Sequence, residues 1–162
     1  MSFELVRIDD RLIHGQVTVA WGSRLNPDRL LLVNDEVAAC DWRCELYSEP
    51  DAFGVEITIL SVDDFAEALE RNTWEGERVF VIVETPGDLL RLIGAGLRVP
   101  VANVGGMHHA EGKRELLPYV FVDDDDVDAM KAVIDSGTRL EARDVPQATP
   151  VDMAELLAAR ED

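Results

Sequence analysis

The sequence predicts an α/β domain, doubly wound, with a mainly parallel sheet, helices on both faces and room for one antiparallel edge strand. Three observations carry this. Strand-length apolar runs alternate with helical patterns along all 162 residues. The run Val79-Phe80-Val81-Ile82-Val83 is continuously apolar, as expected of a central parallel strand covered on both faces. Helix-start signals, Ser61 with Asp64 and Thr85 with Pro86, follow closely on strand-like runs. Repeated strand–helix units of this kind build doubly wound sheets. Right-handed crossovers then place the loops after the strands along one edge, and function is expected there.

The elements follow in order. Phe3, Leu5 and Ile8 mark a first strand, and a helical pattern beginning near His14 carries Val17, Ala20 and Trp21 on one face. Residues 30–33 read as a buried strand, with Asp35 capping a helix that carries Val37, Cys40, Cys44 and Leu46. Residues 55–60 are a third strand, and the Ser61–Asp64 pair opens a helix through Phe65 and Leu69. After residues 79–83, a helix with proline at its first position runs through Leu89, Leu92 and Ile93 towards Gly94 and Gly96. Residues 99–104 and 119–122 are strands, and the latter leads into an Asp-capped helix with Val127, Met130, Val133 and Ile134. Residues 140–145 are a last strand, read as an edge. Thr149-Pro150 with Asp152 caps a terminal helix. With no linker, repeat or low-complexity stretch, residues 1–162 are expected to form a single domain.

Composition narrows the function classes. A formal net charge of −18 argues against general binding to nucleic acid or anionic membranes, which relies on basic patches. No apolar run approaches the length of a membrane span, and charges at Arg7, Asp9, Asp10 and Arg11 break up any secretory signal. The chain is expected to be soluble and cytoplasmic. Cys40 and Cys44 lack the spacing of a redox pair or a zinc site, so free thiols are expected. No Walker-type loop and no Gly-x-Gly-x-x-Gly appears. Trp21, Trp42 and Trp74 are too widely separated to form a sugar platform and are read as core or rim packing.

Chemistry concentrates where the first strand ends. Arg7, Asp9, Asp10, Arg11, His14, Gly15 and Gln16 stand within ten residues. This is a phosphoryl-site inventory: an imidazole nucleophile, arginines to neutralise phosphate oxygens, and backbone N–H groups at a helix start. Histidine suits a carrier because its ordinary pKa of ~6.5 leaves a neutral nucleophilic fraction at cellular pH. Arg7, Arg11, Gly15 and Gln16 are expected to bind phosphate, and Asp10 to orient the His14 ring. The plainer alternative is a hydrogen-bonded surface histidine, with Asp9 and Asp10 simply paired to the two arginines. Asn103-Val104-Gly105-Gly106-Met107 is the second constellation. Its glycines permit positive φ and close backbone approach. Its place on the same sheet edge makes Asn103, Gly105, Gly106 and Met107 a candidate pocket wall rather than a plain turn. His108, His109 and Glu111 lack a third metal ligand at a workable spacing and read as lip residues. The acids at 123–126 read as an N-cap and first helical turn. No metal or other cofactor is expected.

The first constellation resembles the phosphorylation-site segment of the mannose/fructose/sorbose family of enzyme IIB components of the bacterial sugar phosphotransferase system. The family pattern Arg-x-Asp-x-Arg-x-x-His-Gly-Gln is met by Arg7, Asp9, Arg11, His14, Gly15 and Gln16. The Asn103 segment, Gly112-Lys113, Val33-Asn34-Asp35 and Glu141-x-Arg143-x-Val145-Pro146 extend the likeness over essentially the whole chain. Residues 40–52 and 114–122 are less typical. The resemblance implies a phosphotransferase component that takes a phosphoryl group on His14 from a IIA phosphohistidine protein. It then passes that group to a sugar held by the membrane components IIC and IID, with the protein associated peripherally with the inner membrane face. IIA is expected as a separate polypeptide, and a homo-oligomer is compatible. Two alternatives stay open: a regulatory phosphoprotein whose His14 state a partner reads without sugar transport, and a small-anion binder on the same scaffold.

Overall fold

The computed structural model describes residues 2–15, 17–48 and 55–161. Its strands are β1 (Ser2–Asp9), β2 (Arg29–Val33), β3 (Glu56–Leu60), β4 (Arg78–Val83), β5 (Val101–Gly106), β6 (Arg114–Leu117), β7 (Val120–Val122), β8 (Arg139–Ala142) and β9 (Val151–Asp152). Seven of them form one sheet in the order β3-β2-β4-β1-β5-β8-β9, parallel except for β9. The remaining two, β6 and β7, form an antiparallel hairpin. The architecture is the expected doubly wound one.

The two-residue period of the strands sorts the core into two layers. Val6, Ile8, Leu31, Val33, Val79, Val81 and Val83 point to one face. There they meet Phe65 of α4 (Val62–Glu70), Leu89 and Leu92 of α5 (Pro86–Gly94), Met130 and Val133 of α6 (Asp124–Asp135), and Leu157 of α7 (Met153–Ala159). Leu30, Leu32, Phe80 and Ile82 point to the other face. This layer is smaller, closed by Val17 and Trp21 of a π-helical turn (Val17–Trp21) that runs into α1 (Gly22–Leu25), and by Val37 of α2 (Asp35–Ala38). Arg7 shares the parity of Leu5, which packs against the smaller layer, so a guanidinium takes a place where the pattern calls for an apolar side chain.

Several boundaries differ from the sequence reading. The helix expected from Asp35 is two pieces, α2 and α3 (Asp41–Ser48), and its cap is Asn34, whose side chain accepts from Val37 N–H at 3.0 Å. The break has a packing cause: Val37 is fully buried, whereas no residue of α3 is, so no continuous apolar stripe holds the two on one axis. Trp42 of α3 is accordingly 66% exposed rather than packed. The strand expected at an edge, β8, is interior. The edge is the two-residue β9, and Asp152 alone caps α7 by accepting from Glu155 N–H. The strand β6 lacked alternation in sequence and is held by pairing with β7.

Asn34 also donates from Nδ2 to Glu84 Oε2 at 3.0 Å while 4% exposed, so it satisfies a helix end and a strand end at once. Asn34→Ala is expected to cost about 1–2 kcal/mol, the scale of a lost N-cap, read as a lower urea midpoint with an unchanged slope.

Candidate functional site

The site grows from the C-terminal end of β1, which lies between β4 and β5 at the centre of the sheet. Ligands of open α/β sheets bind beyond such strand ends. Strand parity puts Arg7 and Asp9 on one side of β1 and Asp10 on the other, and the rest follows from that division.

Arg7 is 1% exposed, and a buried guanidinium requires acceptors. It donates through Nη1 to Asn103 Oδ1 (2.6 Å) and the Arg143 carbonyl (3.0 Å). Through Nη2 it donates to the Asp144 carbonyl (2.9 Å) and Asp9 Oδ2 (3.3 Å). Its Cζ lies 5.0 Å from the Trp21 ring centroid, a cation–π distance. Burial pulls its pKa down to about 10 while the Asp9 charge resists, so Arg7 remains a cation at neutral pH. Gly105 makes room for it: a Cβ there would fall on the guanidinium carbon.

Asp9 is fully buried and gathers the site. Its Oδ1 accepts from the Arg11 backbone N–H and from Arg11 Nε, both at 3.1 Å. Its Oδ2 accepts from Arg11 Nη2 at 3.0 Å and faces His14 Nε2 at 3.2 Å. Burial alone would raise its pKa, but the hydrogen bonds from His14 and Arg11 and the charge of Arg7 outweigh that and hold the carboxyl well below the usual range. The loop that returns Arg11 and His14 over Asp9 is closed by Leu12 N–H donating to the Asp9 carbonyl at 3.0 Å. Leu12 sits at φ 62°, a left-handed conformation costly for a leucine and compensated by its burial. His14 is 19% and Arg11 32% exposed, so both reach solvent from a buried anchor.

The sequence expectations redistribute accordingly. The carboxylate on the His14 ring is Asp9, and not Asp10: Asp10 lies across the strand, where it accepts from the His108 backbone N–H at 2.6 Å and pairs with the His108 ring. Arg7, expected on phosphate, is committed beneath the site to protein acceptors, leaving Arg11 as the arginine at its surface. Asn103 supports Arg7 from the neighbouring strand instead of lining a wall. Gly105 and Gly106 end β5 without positive φ, and their value is space. A Cβ on Gly106 would lie 3.3 Å from both Arg11 Nη2 and Asp9 Oδ1. Gly15 is exposed, with open space where a Cβ would stand. Gln16 lies outside the described residues.

Beside Arg11 opens a pocket of about 220 Å³, floored by Gly105, Gly106 and Met107 and walled by Tyr119, Phe121 and Asp144. The hairpin forms one wall because Tyr119 and Phe121 bracket Met107, from Met107 N–H to the Tyr119 carbonyl and from Phe121 N–H to the Met107 carbonyl, each at 2.9 Å. Lys113 Nζ pins the same hairpin to Asp126 at the start of α6 (2.9 Å). Sequence reasoning missed Tyr119, Phe121 and Asp144 as site residues. The Glu141-x-Arg143-x-Val145 segment was the available signal, since the carbonyls of Arg143 and Asp144 close over Arg7.

An imidazole held by a buried, ionised carboxylate, with an arginine alongside, stands at the rim of a parallel sheet, an arrangement chemically suited to receiving a phosphoryl group. The family described as PTS system sorbose subfamily IIB component matches residues 3–162, and the chain belongs to it. It is 35% identical over 158 residues to the mannose-specific EIIAB component of Escherichia coli K12, covering 98% of this chain and 49% of that protein. It therefore spans about half the length of that relative. To the fructose-specific EIIB component of Bacillus subtilis it is 32% identical over 157 residues, covering 97% and 96%. The IIBSor domain of the sorbose permease from Klebsiella pneumoniae superposes with a TM-score of 0.93 at 29% identity, covering 99% of this chain and 98% of that one. Among the described residues, no helix is long and apolar enough to cross a membrane.

Proposed function

We propose that this chain, as one domain over residues 1–162, is a cytoplasmic phosphocarrier of a sugar phosphotransferase system. His14 accepts a phosphoryl group from the phosphohistidine of a IIA partner. It passes the group to a sugar bound by IIC and IID membrane components, through which the protein meets the membrane. The observation that carries this is the Asp9–His14 pair. An ionised carboxylate is an acceptor only, so His14 Nε2 carries the proton and donates it at 3.2 Å. In the neutral ring the lone pair then belongs to Nδ1, which attacks phosphorus while the donor's N–P bond breaks. The charge left on the phosphorylated ring is balanced by Asp9, and Arg11, held by the same carboxylate and partly exposed, is the cation assigned to the phosphoryl oxygens. In the second transfer a sugar hydroxyl oxygen attacks phosphorus and the Nδ1–P bond breaks. The hydroxyl proton passes to a phosphoryl oxygen or to solvent. The mannose-specific relative is named as a combined EIIAB component, which supports a IIA partner. The sugar-specific names of the relatives favour transport over a purely regulatory role.

Incubation with a phosphorylated IIA protein is expected to add one acid-labile phosphate, measured as intact mass before and after mild acid. His14→Ala is expected to take up none. An unchanged gain in that variant would refute the assignment.

A further inference from the structure

We infer that His108 is a positioning residue for the phosphoryl-accepting imidazole: its ring fixes the Asp10 carboxylate, which anchors the loop carrying Arg11 and His14 to the end of β5. The inference rests on the phosphocarrier reading above and names what holds the nucleophile's loop against its support.

Topology sets the problem. The pairing of β1 with β5 ends at Asp9 opposite Gly106, after an irregularity between Ile8 and Asp9. Beyond that point the chain leaves the sheet, yet it must return Arg11 and His14 over the Asp9 carboxylate. Asp10 continues the pairing by other means. Its backbone N–H donates to the Gly106 carbonyl at 3.1 Å, and its Oδ2 accepts the His108 N–H at 2.6 Å. Its Oδ1 faces His108 Nδ1, so both carboxylate oxygens are engaged by one residue. A carboxylate only accepts, so the ring presents Nδ1–H to Asp10 and keeps Nε2 outside the clip. Two-point contacts fix orientation as well as distance. Without the ring, the carboxylate is free to turn about its contact with the His108 N–H.

Exposure and chain position assign this clip to the reaction rather than to the core. The His108 side chain is 61% exposed and that of Asp10 28%, and ion pairs so open to solvent add little to global stability. Asp10 stands between Asp9 and Arg11 in the chain, so a drift of its backbone passes directly to the two residues that build the site around His14. The contact they must preserve has little slack. His14 Nε2 lies 3.2 Å from Asp9 Oδ2, at the long end of the N–H···O range. A misplacement of about 1 Å in a reacting group costs on the order of 100-fold in rate. The neighbouring cation and imidazole are committed elsewhere: Lys113 donates to Asp126 at 2.9 Å, and the His109 ring packs edge-on against Phe121 at 5.4 Å.

The test compares His108→Ala and His108→Asn with the parent chain, by rapid-quench measurement of phosphoryl uptake over a range of phosphorylated IIA concentrations. His108→Ala is expected to lower the maximal rate about tenfold, with the half-saturating IIA concentration unchanged within about twofold. Asparagine carries an amide N–H at the place of Nδ1–H and is expected to recover the rate to within about twofold of the parent. In an Asp10→Ala background, His108→Ala is expected to add no further loss, because the ring acts through that carboxylate. The melting temperatures of both His108 variants are expected within about 2 °C of the parent. A parent-like rate in His108→Ala overturns the inference, and so does equal loss in the Ala and Asn variants or further loss in the Asp10→Ala background. A loss confined to the half-saturating concentration overturns it in favour of a direct IIA contact, and a fall in Tm that tracks the rate overturns it in favour of a structural role. Each of these outcomes leaves the carrier reading standing. If the parent itself takes up no phosphoryl group, the carrier reading falls and the inference with it.

Discussion

Asp9→Asn is expected to lower stability by about 3–5 kcal/mol, because it leaves the Arg7 guanidinium buried beside a neutral amide. In a chain of this size that is a fall in Tm on the order of 10 °C. The same change is expected to slow phosphoryl acceptance by His14 by about 100-fold or more, since a general-base imidazole that loses the carboxylate fixing its tautomer slows by ~10⁴-fold. An asparagine offers the ring either an N–H or a carbonyl, so Nε2 and Nδ1 are no longer distinguished. The pH dependence has a definite sign. Asp9 is held below the ordinary carboxylate range in the folded protein. Its contribution is therefore fully present above the unfolded value of ~3.9 and is lost only as pH falls through the lower folded value. The stability gap between the parent protein and Asp9→Asn should be constant from pH 5 to 8 and shrink only below about pH 4. A gap that closes near neutral pH would show that Asp9 is not the ionised anchor of the site.

Gly105→Ala is expected to cost about 3 kcal/mol or more, far beyond the effect of one methyl group on an open strand. The added Cβ falls on the Arg7 guanidinium, and β5 cannot shift because β1 and β8 pair with it on either side. Arg7 would have to leave its acceptors on Asn103, Arg143 and Asp144. The cause is steric and specific to one pair, so a double-mutant cycle isolates it: Gly105→Ala should be much less damaging in an Arg7→Met background. A coupling of ~1–3 kcal/mol is expected in thermal or urea unfolding, as for residues in direct contact. Additive effects would mean that Gly105 is required for some reason other than the arginine above it.

The site was partly legible in sequence, and the division has a pattern. Arg7, Asp9, Arg11 and His14 were readable as one constellation because they are adjacent in the chain and sit where an apolar run meets polar residues. Their roles were not. Asp10 was expected on the ring and Arg7 on phosphate, although strand parity already assigned Asp9 and Asp10 to opposite sides. The glycines at 105 and 106 read in sequence as backbone freedom, whereas their use is space for the side chains stacked on them. Nothing local distinguishes Tyr119 and Phe121, which meet Arg11 only when the hairpin folds back onto Met107, whereas Asp144 lies within the Glu141-x-Arg143-x-Val145 segment that offered a signal. The divided helix after β2 escaped for a related reason, since α3 lacks the buried stripe that periodicity detects.

By itself the sequence determined the layered α/β architecture, every strand but β6 and β9, and the caps at Ser61, Thr85 and Asp123, because each depends on residues within a few positions of one another. It also determined which short segment carries the nucleophile. Only the tertiary structure decided which carboxylate serves the imidazole, which arginine is buried and which exposed, and that a pocket opens beside them. Those outcomes depend on β1 being flanked by β4 and β5 and on the 143–146 segment closing over Arg7. Such contacts join residues about a hundred or more positions apart, and electrostatic partnership at that range is set by packing, which no local pattern encodes.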